Sequence, residues 1–174
     1  MRSRRPLRFG RRQGAVAPPR GTTAETRNQG VVMDPQRVLT LCQEHAGAEA
    51  AEEMDRVLAT MVAEPVFEFY PMKMKIAGRT NIERFYREQY TRFSPLVVGY
   101  QVLSEWTNEY AALQEYWIDV ADATVPSATV RYFVISMMPG DDETGLLTGE
   151  RLYCDDGFVR ALLGPFCEYL EPIT

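Results

Sequence analysis

Thr148–Gly164 reads T-G-E-R-L-Y-C-D-D-G-F-V-R-A-L-L-G. The first half has strand composition and carries a carboxylate, Glu150, and an aromatic, Tyr153. Asp155-Asp156-Gly157 stops that strand, and the apolar run ending at Gly164 reads as a short helix. A strand that ends on acids puts carboxylates at the rim of a sheet, where a pocket can use them.

Upstream of this stretch the hydrophobic period is two, back to Pro95. Candidate strands are Val97–Trp106, Tyr110–Val120, Thr129–Met138 and Leu146–Cys154. Their connections are hairpin-scale, which predicts a mainly antiparallel sheet. Along 112–120, Glu115, Trp117 and Asp119 share one face, and Gln114, Tyr116, Ile118 and Val120 share the other. The second face is the more apolar and is expected to line the interior.

The N-terminal half is helical in period. Asp34-Pro35 is a helix start, with Asp as N-cap and Pro in the first turn. Val38, Leu41, Cys42 and His45 fall on one helical face, and Gly47 is expected to end that helix. A second helix is predicted over Ala48–Val62, with Met54, Val57, Leu58 and Met61 on one face. Asp55 on it reads as a solvated helical acid. Val66–Tyr70 and Met72–Ile76 read as strands. Thr80 and Glu83 fit a capping box for a helix over 81–93, striped by Ile82, Phe85, Tyr86, Tyr90 and Phe93. Helices first and a meander afterwards predict an α+β fold with the helices on one face of the sheet.

The totals narrow the chemistry. A chain of 174 residues suits one folded domain, here 33–174. Residues 1–32 hold eight arginines against one acid, a net +7, so 33–174 carry −12 of the overall −5. The Arg-, Gly- and Pro-rich segment 1–32 is expected to be a disordered extension, with a polyanion-binding tail or a transit peptide as competing readings. Met33 is a natural alternative start. The acidic domain is a poor partner for nucleic acid. Apolar runs are far shorter than the roughly 18 residues a spanning helix needs, so no membrane partner is expected. Three separated cysteines and no Cys-x-x-Cys pair point to reduced thiols and a cytoplasmic setting. A single histidine gives a zinc site or a Ser-His-Asp triad little to build on, and spacing shows no metal cluster and no nucleotide fingerprint. No cofactor is therefore expected.

Four passages together carry a resemblance: M-D-R-V-L-A-T-M at 54–61, E-P-V-F-E-F-Y-P at 64–71, A-G-R-T-N-I-E-R-F-Y at 77–86 and G-E-R-L-Y-C-D at 149–155. In this order they resemble SnoaL-like proteins of the nuclear-transport-factor-2-like superfamily, over Asp34–Gly164. The resemblance implies a cone, in which a curved antiparallel sheet wraps around helices and opens at a pocket. It also implies a homodimer through the outer sheet face. The activities it implies range from isomerisation and cyclisation to epoxide hydrolysis and plain binding, so the fold leaves the function open. Their common theme is a carboxylate in an apolar pocket, desolvated until it titrates near neutrality. Asp155 matches the aspartate that closes the last strand of SnoaL-like cyclases. The Asp-Arg-Asp set of the epoxide hydrolases has no counterpart, since no acid lies two residues from Arg131.

The candidate catalytic residues are Asp155 and Glu150. Against this, Asp155 or Asp156 also suits the cap of the following helix, and Glu150 suits a solvated strand position. Alternation puts the two on opposite faces, so they are not expected to act as a pair. Tyr70, Tyr86, Tyr90, Trp106 and Tyr116 are candidate ligand-binding residues, each also suited to plain packing. His45 is a candidate base. The expected function is cofactor-free acid/base chemistry of isomerase, cyclase or hydrolase type on a hydrophobic carbonyl-bearing molecule. The alternative is a non-catalytic ligand-binding or protein-interaction module.

Overall fold

The structure, a computed structural model, describes residues 32–122, 128–165 and 170–174. All but Val32 of the expected Arg-rich extension lies outside the described residues. Helix α1 (Pro35–Ala50) begins as its sequence dictates. The Asp34 carboxylate accepts the Gln36 N–H at 3.0 Å, and Pro35 occupies the first turn. Gly47 does not end the helix, contrary to expectation. It lies on the exposed side, where nothing surrounds it, and a lone exposed helical glycine costs only about 1 kcal/mol. The break falls at Ala51–Glu53, where Glu52 takes φ 57°. Helix α2 is therefore short (Met54–Ala59), and Met61 opens a strand instead of closing the helix.

That strand, β1, spans Met61–Phe69 and contains Pro65, opposite a register shift between Met61 and Val66. The slip accommodates a residue that cannot donate to a ladder. Strand β2 (Met74–Ala77) is followed by α3 (Arg79–Glu88). The Thr80–Glu83 capping box does not form. Gly78 takes φ 85° and serves as the N-cap, so α3 starts at once with Thr80 already inside it. α3 runs on into a π-helical turn at Gln89–Phe93 and a 3-10 turn at Ser94–Leu96. Strands β3 (Val97–Thr107), β4 (Ala111–Ala121), β5 (Thr129–Asp141) and β6 (Leu146–Tyr153) follow. Helix α4 (Asp156–Leu163) and a two-residue strand β7 (Glu171–Pro172) complete the described chain.

The strands form one curved, open sheet in the order β3-β4-β5-β6-β1-β2-β7. It is mainly antiparallel, as the hairpin links predicted, but β1 pairs parallel with β6. The inner face is covered by α1 and α3. Phe67 meets Phe85 and Tyr86 edge-on at 5.7 and 5.9 Å, and all three rings are buried. Burial of each such ring contributes about 1.5–3 kcal/mol. The outer face carries Trp117, Phe133, Ile135 and Tyr153, with Arg131 stacked on Trp117 at 3.9 Å and paired to Asp119 at 2.7 Å.

Gly149 of β6 pairs with Val66 of β1. Its φ is 139°, and an added Cβ would lie 1.9 Å from the Val66 carbonyl oxygen. Both obstacles are backbone, so nothing cheap can move. Gly149→Ala is expected to cost about 3 kcal/mol, a fall of roughly 6–12 °C in melting temperature. A thermal melt by circular dichroism checks this.

Candidate active site

The inner face of the sheet and the helices enclose a cavity of about 380 Å³. This lies at the small end of the range for ligand pockets. Its walls are aromatic and aliphatic: Phe85, Phe93, Tyr100, Tyr116, Ile118 and Phe158 among them. Two acids reach into it from opposite sides, Glu49 from the last turn of α1 and Glu150 from β6.

Each acid is held by one neutral donor. Ser136 on β5 donates its hydroxyl to Glu150 Oε1 at 2.5 Å. Gln89, at the head of the π-helical turn, donates Nε2–H to Glu49 Oε1 at 2.6 Å. A π turn at a ligand cavity is a recurrent functional device, since it re-aims side chains that an unbroken helix would point elsewhere. Glu150 is buried. Glu49 is half-buried.

The electrostatics follow from this enclosure. Burial, and then the nearby Glu49, push Glu150 up to about 8, although the Ser136 hydrogen bond pulls the other way. Burial also raises Glu49, opposed by Gln89. One oxygen of each carboxyl and a ring nitrogen of His45 lie within 4.8 Å of one another. Two ionised carboxylates at that separation repel by about 3 kcal/mol at an effective dielectric of about 20. The pair therefore holds one proton near neutral pH and titrates as a unit.

His45 sits behind the pair, buried on α1, and burial lowers it to about 4, so its ring is neutral. Thr60 donates its hydroxyl to the Val57 carbonyl at 2.6 Å, which leaves its oxygen to accept from His45 Nδ1 at 2.7 Å. The Nε2 lone pair then faces the Tyr86 hydroxyl at 3.1 Å. This network fixes one tautomer and makes His45 a support for the wall of the cavity.

The expected site residues separate sharply. Glu150 lies in the cavity, and Tyr116 lines it. Asp155 does not. It is exposed, and its Oδ1 accepts the Phe158 N–H at 2.8 Å as the N-cap of α4. Asp155→Ala is expected to cost about 1 kcal/mol of stability, read from a denaturant midpoint. Tyr70 and Trp106 also miss the cavity. Tyr70 stacks on Tyr153 at 4.6 Å outside the sheet, and Trp106 is 52% exposed. Tyr70 lies just past the end of β1, and the register shift between Val102 and Ser104 turns Trp106 to the face opposite Tyr100. Tyr86 and Tyr90 pack behind the cavity wall, with rings 5.6 Å apart, and are not among the described lining residues. Asp55 is exposed on α2.

Sequence reasoning missed Glu49, and with it the cluster that Glu49 completes. The signal was present: Glu49 follows His45 by four residues, one turn along the same helical face. Ending the helix at Gly47 hid it. Phe85 and Phe93 were legible as an apolar stripe, but not as cavity lining.

Comparison with known protein families and with curated proteins finds no match. Solved structures do match. An NTF2-like protein from Burkholderia xenovorans LB400 superposes with a TM-score of 0.59 at 12% identity, covering 75% of this chain and 98% of that one. The chain has the nuclear-transport-factor-2-like fold. A second NTF2-like protein of that organism, of unknown function, gives 0.53 at 16% identity over 70% and 84%. A hypothetical protein with a ketosteroid isomerase-like fold from Catenulispora acidiphila DSM 44928, in complex with trimethylamine, gives 0.54 at 11% over 71% and 92%. In this chain Glu49 and Glu150 meet on the side of the sheet that faces the helices. Among the described residues, no helix is long and apolar enough to cross a membrane.

Proposed function

We propose that this chain is a cofactor-free proton-transfer enzyme of isomerase, cyclase or hydrolase type, acting on a hydrophobic carbonyl-bearing small molecule. The observation that carries this reading is the pairing of Glu49 and Glu150 inside an apolar cavity, held by one donor each. An ionised Glu150 removes a proton from the carbon next to the carbonyl, and the electron pair moves onto the carbonyl oxygen as an enolate. The Tyr116 hydroxyl, kept protonated by burial and by both acids, offers that oxygen a hydrogen bond. Glu150 then returns its proton at the same or a conjugated carbon, and no electrons are gained or lost. Ser136 and Gln89 act through the carboxyls they hold, as positioning residues.

A test needs no knowledge of the natural substrate. Hydrophobic ketones incubated with the protein in D₂O lose their α-proton signals in the NMR spectrum if a base acts on them. Exchange above the buffer rate supports the reading. Saturable binding of those ketones with no exchange supports the non-catalytic module instead. The free thiols of Cys42 and Cys154 fit a reducing, cytoplasmic setting, and the apolar outer sheet face fits a homodimer.

A further inference from the structure

The polar groups of the cavity are unbalanced. Its described lining contains three acids, Glu49, Glu52 and Glu150, and no lysine, arginine or histidine. Three of its amide and hydroxyl donors are already turned on carboxylates: Gln89 on Glu49, Ser136 on Glu150, and Gln114 on Glu105 at 2.7 Å. Gln89 is buried, yet its Oε1 has no hydrogen-bond partner. A buried acceptor left without a donor costs about 1–3 kcal/mol, and Gln89 is one of the residues that line the cavity. The tyrosine hydroxyls are available to a carbonyl oxygen. What the site lacks is a positive charge with several N–H groups. The aromatic walls suit such a group as well, since ring faces attract cations.

We infer that the ligand carries, beside its carbonyl, a protonated primary or secondary amine that docks between Glu49, Glu150 and the Gln89 carbonyl oxygen. The ammonium replaces the proton the acid pair otherwise holds, and so leaves Glu150 ionised for its work as the base. A divalent metal ion at His45, Glu49 and Glu150 is the rival occupant. It is disfavoured because both ring nitrogens of His45 are engaged, one with Thr60 and one with Tyr86. The inference rests on the proton-transfer reading for the role of Glu150, but its test reads binding alone.

The probes are benzylamine, benzyl alcohol as its neutral counterpart of nearly equal shape, and MnCl₂ or ZnCl₂ alone, titrated into the full chain by calorimetry at pH 7.5. Benzylammonium is expected to bind at least 10-fold tighter than benzyl alcohol. In Glu49→Gln that preference is expected to fall below 3-fold, and the ratio within one variant is insensitive to a general loss of folded protein. Equal binding of amine and alcohol overturns the inference, as does a preference that survives in Glu49→Gln. Stoichiometric metal binding with no amine preference overturns it in favour of the metal site. Deuterium exchange into neutral ketones without amine preference removes this inference and leaves the proposed function standing. Amine preference without exchange into any ketone does the reverse.

Discussion

Glu150→Gln is expected to slow α-proton exchange by about 10²–10⁴, the usual contribution of a positioned base. The amide keeps the shape of the side chain and an oxygen to accept from Ser136, so the loss is chemical. The same change alters the pH response in two ways. Activity of the wild type should rise with pH and level off above about 8, because only the ionised carboxylate accepts the proton. Stability should move in the opposite direction. Glu150 is raised in the folded state above its ordinary 4.5, so the fold favours the protonated form. That contribution is fully present below about pH 4.5 and is lost as pH rises to about 8. Glu150→Gln does not titrate, so its melting temperature should fall less than that of the wild type between pH 5 and 9. Glu49 still titrates in the variant, which leaves part of the slope. Thermal melts at several pH values, read beside the exchange rates, separate the base from a residue of merely structural importance. A structural residue would lower stability at every pH.

The fold was legible where a local rule and the tertiary context agree. The N-cap at Asp34 and the alternation along β4 are of this kind: each residue's position follows from its own few neighbours. The errors fall where one local signal is outweighed. Gly47 weakens α1, but five buried side chains from Val38 to Ala48 hold the helix together across it. The capping box at Thr80 fails because the chain reaches α3 through a positive-φ glycine that leaves no room for a separate cap. The candidate site was half legible for a related reason. Glu150 stands on a strand whose face could be argued from alternation. Glu49 becomes a site residue only when the end of α1 meets β6 across more than a hundred residues of sequence. The Gln89 contact depends on a π turn that no periodicity announces. Asp155 stood out in sequence because it ends a strand and starts a helix, and that position is also what a cap requires.

The outer sheet face carries the other large expected effect. Phe133 is 62% exposed at the middle of β5, paired across the sheet with Trp117, and Ile135, Trp106 and Tyr153 extend the apolar area in both directions. Scattered apolar residues on a surface need no explanation, but a run of large ones on one face of a sheet marks an interface. We propose that a second copy of the chain covers it. An interface of ordinary size hides about 800 Å² on each partner, and its energy concentrates in central aromatic residues. Phe133→Glu places a charge at that centre, where association would strip it of water, and the nearby Arg131 is already paired with Asp119. The wild type should therefore elute with twice the chain mass in light scattering coupled to size exclusion, and Phe133→Glu with the mass of one chain. Arg87→Glu, on the exposed side of α3 away from the sheet's outer face, should keep the dimer. A wild type of single-chain mass at tens of micromolar protein would refute the dimer outright. A Phe133→Glu protein that remains dimeric would move the interface to another face. The cavity opens on the opposite side of the sheet, so deuterium exchange per folded chain is expected to survive dissociation. Loss of activity in a folded Phe133→Glu monomer would show that the partner helps to shape the site.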